Sequence, residues 1–296
     1  MEIMKKILFS LISLATAIAL IFSVWFNKSK KNKENEVGNS NTNVEDNTIK
    51  ETEKENERIV EFTNPYAQTS ISKEEDERLY AQLPDELKRQ ADKYPEARSS
   101  LLQYNKYKDD TSKIDISKEM KDIERQDRGK NKIPYFNQWD VRWAFKKIDD
   151  GHFSVSGCGP TVMSMAYMGL IGEKDLNPYA MGQLASKEGY YTHELGSLHT
   201  LFTEFSNEIG LNSRYISKNF ESLKGAIDRG SLVVFHVKNN GIGDFTYSGH
   251  YILATDYDED GHVTILDPNS YNNTNKKWDF DRILSQTANM FEISKQ

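Results

Sequence analysis

Ser156-Gly157-Cys158-Gly159-Pro160-Thr161, followed by Val162, Met165, Ala166 and Gly169, is the most informative stretch of this chain. Apolar residues three and four apart form one face of a helix, and Pro160 has the fixed φ of a first helical turn. Glycines on either side of Cys158 let the backbone approach a bound group closely. Cys158 therefore stands at a helix start, where unpaired N–H groups favour thiolate over thiol and lower a thiol pKa from about 8.5. Such a place suits a nucleophile better than a packing residue.

Cys158 is the only cysteine in 296 residues. One thiol excludes an internal disulfide framework and any zinc site built from several thiolates. The formal net charge is −7, with 38 Lys and Arg against 45 Asp and Glu. No basic field is present to attract phosphate backbones, so no nucleic-acid partner is expected. With 4 Trp, 15 Tyr and 14 Phe the chain is neither collagen-like nor wholly disordered. A polytopic membrane protein is excluded too, because only one apolar run is long enough to span a bilayer.

Downstream of Cys158, helical spacing predicts helices over 158–168, 178–187, 198–209 and 221–229, with Asn177 capping the second and Asn219 near the start of the last. Strands are predicted over 232–237, 250–257, 263–266 and 290–293. Asp258-Glu259-Asp260-Gly261 reads as the hairpin turn joining the second strand to the third. Helices followed by strands indicate an α+β domain.

Upstream, residues 7–26 are uncharged and predominantly apolar, and as a helix they would reach ~30 Å. Lys5 and Lys6 precede the run, and Lys28, Lys30, Lys31 and Lys33 follow it. The run is longer than the ~7–15 apolar residues usual in a cleaved signal, so residues 1–26 are read as a membrane anchor in preference to a removed signal segment. The remainder is expected outside the cell, tethered or secreted, although the lysine bias after the run favours the opposite orientation. Residues 27–60 read as a disordered linker, because from 27 to 58 only Val37, Val44 and Ile49 are apolar and chain entropy is not offset. In 61–132, a charged accessory segment, Leu83, Leu87, Ala91 and Tyr94 make one helical stripe, and Ala97, Leu101 and Tyr104 another. These stripes are narrow, so they are expected to pack on the domain that follows, 133–296.

A nucleophilic thiol needs a base. His250 follows Ser248-Gly249 and opens the apolar strand Tyr251-Ile252-Leu253-Ala254, where it can face a cleft, and its removal would then leave folding nearly unchanged. His152, His193, His199, His236 and His262 compete; His199 and His236 read as structural, whereas His152 is near Cys158 in sequence. Asp267 in Leu266-Asp267-Pro268-Asn269 ends the strand that pairs with that of His250 and is the acceptor expected to fix the imidazole, with Asn269 in reserve. The Cys158 backbone N–H is one expected oxyanion donor, and Gln138, amid Tyr135, Phe136, Trp139, Arg142 and Trp143, is the other.

Two metal readings compete. Asp256, Asp258, Asp260 and Gly261 match the start of a calcium loop that Asp267 would close, but the predicted flanking elements are strands in place of helices. Cys158, His250 and Asp267 have the ligand types of a zinc site without any short-spaced motif. Neither is adopted, and no cofactor or resident metal is expected.

Taken in order, Gln138, Cys158 within GCGPT, His250 within SGHYIL and Asp267 within ILDP resemble the papain-like cysteine peptidases related to double-glycine leader peptidases, a family-39-like group that includes stand-alone domains of bacterial envelope proteins. The resemblance covers about 133–296. It implies a papain-like α+β fold, a peptide or protein substrate, and thiol-based amide cleavage with Cys158 as nucleophile, His250 as base and then acid, Asp267 as orienter and Gln138 as oxyanion donor. The interval from Gln138 to Cys158 is longer than in leader-processing relatives. The competing functions are a noncatalytic cell-surface binding module on the same fold, and an envelope amidase or transpeptidase using the same residues.

Overall fold

Local sequence accounts for most element boundaries. The computed structural model describes residues 62–64, 71–109, 126–128 and 131–296, all within one compact unit. The expected anchor over 1–26 and linker over 27–60 lie outside the described residues. Among those described, no helix is long and apolar enough to cross a membrane.

The first helices are α1 (Lys73–Ala81), capped by the Ser72 hydroxyl, α2 (Asp85–Lys93) and α3 (Pro95–Leu101), followed by one short turn, Tyr104–Tyr107. Pro84 stands at the N-cap of α2, and Pro95 opens α3 because its missing N–H costs nothing in a first turn. Leu83, Leu87, Ala91, Ala97 and Leu101 are buried in one apolar cluster with Trp139, Val141, Ala144 and Phe145. The narrow stripes thus find their partner in the segment just before Cys158.

The long helix α4 (Cys158–Ile171) ends at Gly172, whose φ of 97° is the left-handed conformation that closes a helix without a Cβ clash. Next comes α5 (Pro178–Lys187), whose cap Asn177 accepts from the N–H groups of Tyr179 and Ala180. A two-stranded ribbon, Tyr191–Thr192 with Gly196–Ser197, follows. Over the predicted helix 198–209 the chain instead forms a π-helical turn, Leu201–Phe205, and a short α-turn, Ser206–Glu208. Phe202 and Phe205 are both fully buried there, and the wider turn sends both rings into the core.

The sheet strands are β1 (Leu211–Ile216), β2 (Leu232–Lys238), β3 (Gly249–Tyr257), β4 (His262–Leu266), β5 (Lys277–Asp279) and β6 (Thr287–Lys295). Helix α6 (Phe220–Asp228) lies between β1 and β2. The order across the sheet is β5-β4-β3-β2-β6-β1, antiparallel throughout. β2 reads as a continuous apolar run because both faces are covered. Leu232 and Val234 join the α4 cluster, whereas Val233, Phe235 and Val237 join the α6 cluster. Together these elements make the α+β architecture expected from the order of helices and strands.

At the start of α4 a glycine is required. A Cβ on Gly159 would lie 2.0 Å from Ser197 Oγ and 2.6 Å from Ser197 Cβ. Gly159→Ala is expected to lose about 1–3 kcal/mol, the usual cost of an inserted methyl group in a packed interior. Urea unfolding of the full chain measures it, and a change within about 0.5 kcal/mol would show that the ribbon yields freely.

Candidate active site

Cys158 is the first residue of α4, and its partly exposed side chain opens onto a cleft of about 940 Å³. The opening N–H groups of a helix have no carbonyl four residues earlier within it, and among the described residues the Cys158 amide meets no acceptor. Gln138, His250 and Asn269 line the same cleft.

His250 enters from the beginning of β3. Its Nε2 lies 2.7 Å from Asp267 Oδ1, and its side chain is within hydrogen-bonding reach of Cys158. With Nε2 engaged by Asp267, Nδ1 is the ring nitrogen left for the sulfur. The imidazole thus has the carboxylate on one side and the thiol within reach, an arrangement that can pass a proton. Asp267, with no exposed surface, also accepts from the Asn269 N–H at 2.8 Å and from Asn273 Nδ2 at 2.8 Å. Burial works against a charged imidazole here, but the Asp267 carboxylate, followed by the Cys158 contact, overrides it and pushes His250 up to about 10.

The sequence-based expectation that His250 can be removed without harm to folding is corrected by this geometry. Only 4% of the residue is exposed, although it borders the cleft. Taking one partner from a buried ion pair costs about 3–5 kcal/mol, because the other charge is left uncompensated.

Gln138 is buried in the cleft wall. Its backbone N–H donates to Pro268 O at 2.7 Å, and Nε2 donates to Ser154 O at 2.7 Å. One amide N–H is thereby committed, whereas among the described residues the second has no acceptor and the buried Oε1 no donor. Asn269, the reserve acceptor, does not take the His250 position. Its Oδ1 accepts from Trp139 Nε1, and it is within hydrogen-bonding reach of the Tyr94 hydroxyl.

The other histidines separate cleanly. His152 is paired with Glu86 and does not meet Cys158. His199 and His236, read as structural, satisfy one another, with His199 Nε2 and His236 Nδ1 2.9 Å apart, and both also line the cleft. Burial, then the neighbouring His199, Lys238 and His250, pull His236 down to about 4, so it is neutral near pH 7. His262 belongs to the β3–β4 hairpin, where it gathers with Asp258 and Asp260. Asp267 is committed to His250 and does not close that loop, and Asp258 already accepts from the N–H groups of Asp260 and His262.

Sequence reasoning missed Gln90 and Tyr94, which α2 and the residue after it bring to the cleft from before residue 130. Their only sequence signal is that Tyr94 and Ala91 share the stripe of Leu87.

The pKa displacement of His250 has a definite sign. Raised above its ordinary 6.5, it contributes stability that is complete below that value and is lost as the pH climbs through about 10. An NMR titration of the imidazole should find it charged through neutrality, with the midpoint falling toward 6.5 in Asp267→Asn. A wild-type midpoint near 6.5 would contradict the arrangement.

No curated protein matches the chain. Among solved structures, it is similar to the peptidase domain of Streptococcus ComA, described as a bi-functional ABC transporter involved in a quorum sensing pathway. That likeness has 18% identity and a TM-score of 0.36, over 51% of this chain and 96% of that one. Residues 130–296, more than half of the chain, match the Peptidase_C39 like family, and the chain belongs to that family.

Proposed function

We propose that the protein is a cysteine peptidase acting through Cys158, His250 and Asp267, exported or held at a membrane by its apolar N-terminal run. The observation that carries this reading is the line of contacts from the sulfur through the imidazole to a buried carboxylate, at the mouth of a cleft. Support for the membrane context is confined to the uncharged stretch 7–26.

In the first half-reaction the Cys158 thiolate attacks the amide carbonyl carbon and a C–S bond forms. The oxyanion takes the Cys158 N–H and the second N–H of Gln138 Nε2 as donors. Charged His250 then gives its proton to the amide nitrogen as the C–N bond breaks, leaving a thioester and a free amine. In the second half, neutral His250 removes a proton from water, the hydroxyl adds to the thioester, and the C–S bond breaks to restore thiolate and imidazolium. Asp267 holds the ring and balances its charge throughout.

The test is peptide cleavage by the full chain, together with alkylation of Cys158 by iodoacetamide. Cys158→Ala should abolish cleavage, and Gln138→Ala should lower kcat on the order of 10²-fold. A thiol that reacts at neutral pH no faster than free cysteine, in a chain whose Cys158→Ala variant keeps every activity, would overturn the proposal in favour of a binding module. Trimmed or cross-linked wall material among the products, in place of peptide fragments, would assign an amidase or transpeptidase.

A further inference from the structure

The helices before residue 130 contribute to the cleft, although the family match begins only there. α2 is fastened along its length to the domain that carries Cys158. Leu87 and Ala91 are buried with Trp139, Ala144 and Phe145. Glu86 accepts from the His152 N–H at 3.1 Å and meets His193 Nε2 at 3.3 Å. Gln90 Nε2 donates at 3.3 Å to the Ser154 carbonyl that also holds Gln138. Beyond α2, Glu96 accepts from Ser270 Oγ at 2.6 Å and from the Asn272 N–H at 3.0 Å. A removable cover would not be built into the core in this way. It would also bury the thiol, which is partly exposed.

The end of α2 presents specific chemistry. Tyr94 is within hydrogen-bonding reach of Thr246 and Asn269 and meets Tyr247 edge-on, with ring centroids 6.0 Å apart. The exposed Lys93 ammonium lies 5.6 Å from the Tyr94 centroid and 5.4 Å from that of Tyr247. Among the described residues, no carboxylate forms an ion pair with Lys93. The exposed Glu194 lines the same cleft, likewise without an ion pair among the described residues. The end of α2 therefore brings to the cleft a positive charge held near two aromatic faces.

We propose that α2 is a permanent wall of the substrate cleft, and that Lys93 and Tyr94 at its end form a subsite for a substrate side chain bearing a carboxylate. Resting on the peptidase reading, the inference narrows the substrate to peptides with Asp or Glu at the position that reaches this wall. Tyr94 supplies the shape of the subsite and Lys93 its charge. Neither touches the reacting atoms.

The test uses the full chain and a fluorogenic peptide library scanned at each position flanking the cleaved bond. Wild type should favour Asp or Glu at one position. Lys93→Glu, at an exposed site where folding is not at stake, should lower kcat/KM for those peptides by about tenfold relative to their Lys and Arg counterparts, with KM carrying the change. Tyr94→Phe should keep the acidic preference, and Tyr94→Ala should flatten the ranking. Three outcomes overturn the inference while leaving the peptidase reading intact: the same ranking in wild type and Lys93→Glu, no acidic preference in wild type, or an aromatic preference lost in Tyr94→Ala. A wild-type chain that cleaves no peptide in the library removes both readings together.

Discussion

A carboxylate with no exposed surface has to be answered by donors, and much of the cleft follows from how Asp267 is answered. Desolvating an unpaired carboxylate costs several kcal/mol, so its lone pairs must be filled by the fold. Asn269 N–H, Asn273 Nδ2 and His250 Nε2 fill them. Two come from the turn that Asp267 itself begins, and only the imidazole comes from another strand. The pairing of β3 with β4, through Leu253 and Leu266, brings that strand alongside. The ring is held in one plane and its far edge is left for the sulfur. The backbone of Asp267 is held as well, its N–H by Thr274 Oγ1 and its carbonyl by the Tyr135 hydroxyl.

Elements whose burial is one-sided, or complete over a short run, were legible in the sequence, because composition records burial directly. β2 and α5 fall within a residue of their predicted limits. β1 was not predicted: Leu211-Asn212-Ser213-Arg214-Tyr215-Ile216 forms an edge strand, so its composition records exposure more than pairing. The π-helical turn escaped for another reason, since its apolar spacing fits a regular helix equally well and only packing of Phe202 and Phe205 selects the wider turn. In the cleft, Cys158, His250 and Asp267 stood out because glycine punctuation and strand ends mark them locally. Gln90 and Tyr94 had no such mark. Their place depends on how a distant helix docks, and a stripe of apolar residues fixes which face is buried but not what that face meets.

The turn after Asp267 links the parts of the cleft. Asp267 holds His250, the Pro268 carbonyl accepts the Gln138 N–H, Asn269 reaches Trp139 and Tyr94, and Ser270 and Asn272 bind Glu96 at the foot of α3. The proposed acid–base side, oxyanion side and substrate wall are therefore referred to one short stretch of backbone. The bonds from Asp267 to His250 and from Trp139 to Asn269 are buried, where a hydrogen bond is strong and its loss is expensive. Chain segments far apart in sequence can thus be held to the few tenths of an ångström that attack on a carbonyl demands, without a disulfide to fasten them. The same economy explains why the helices before residue 130 are inseparable from the cleft. Their apolar stripes secure α2 against Trp139, and the polar residues at its end then meet the turn that positions everything else.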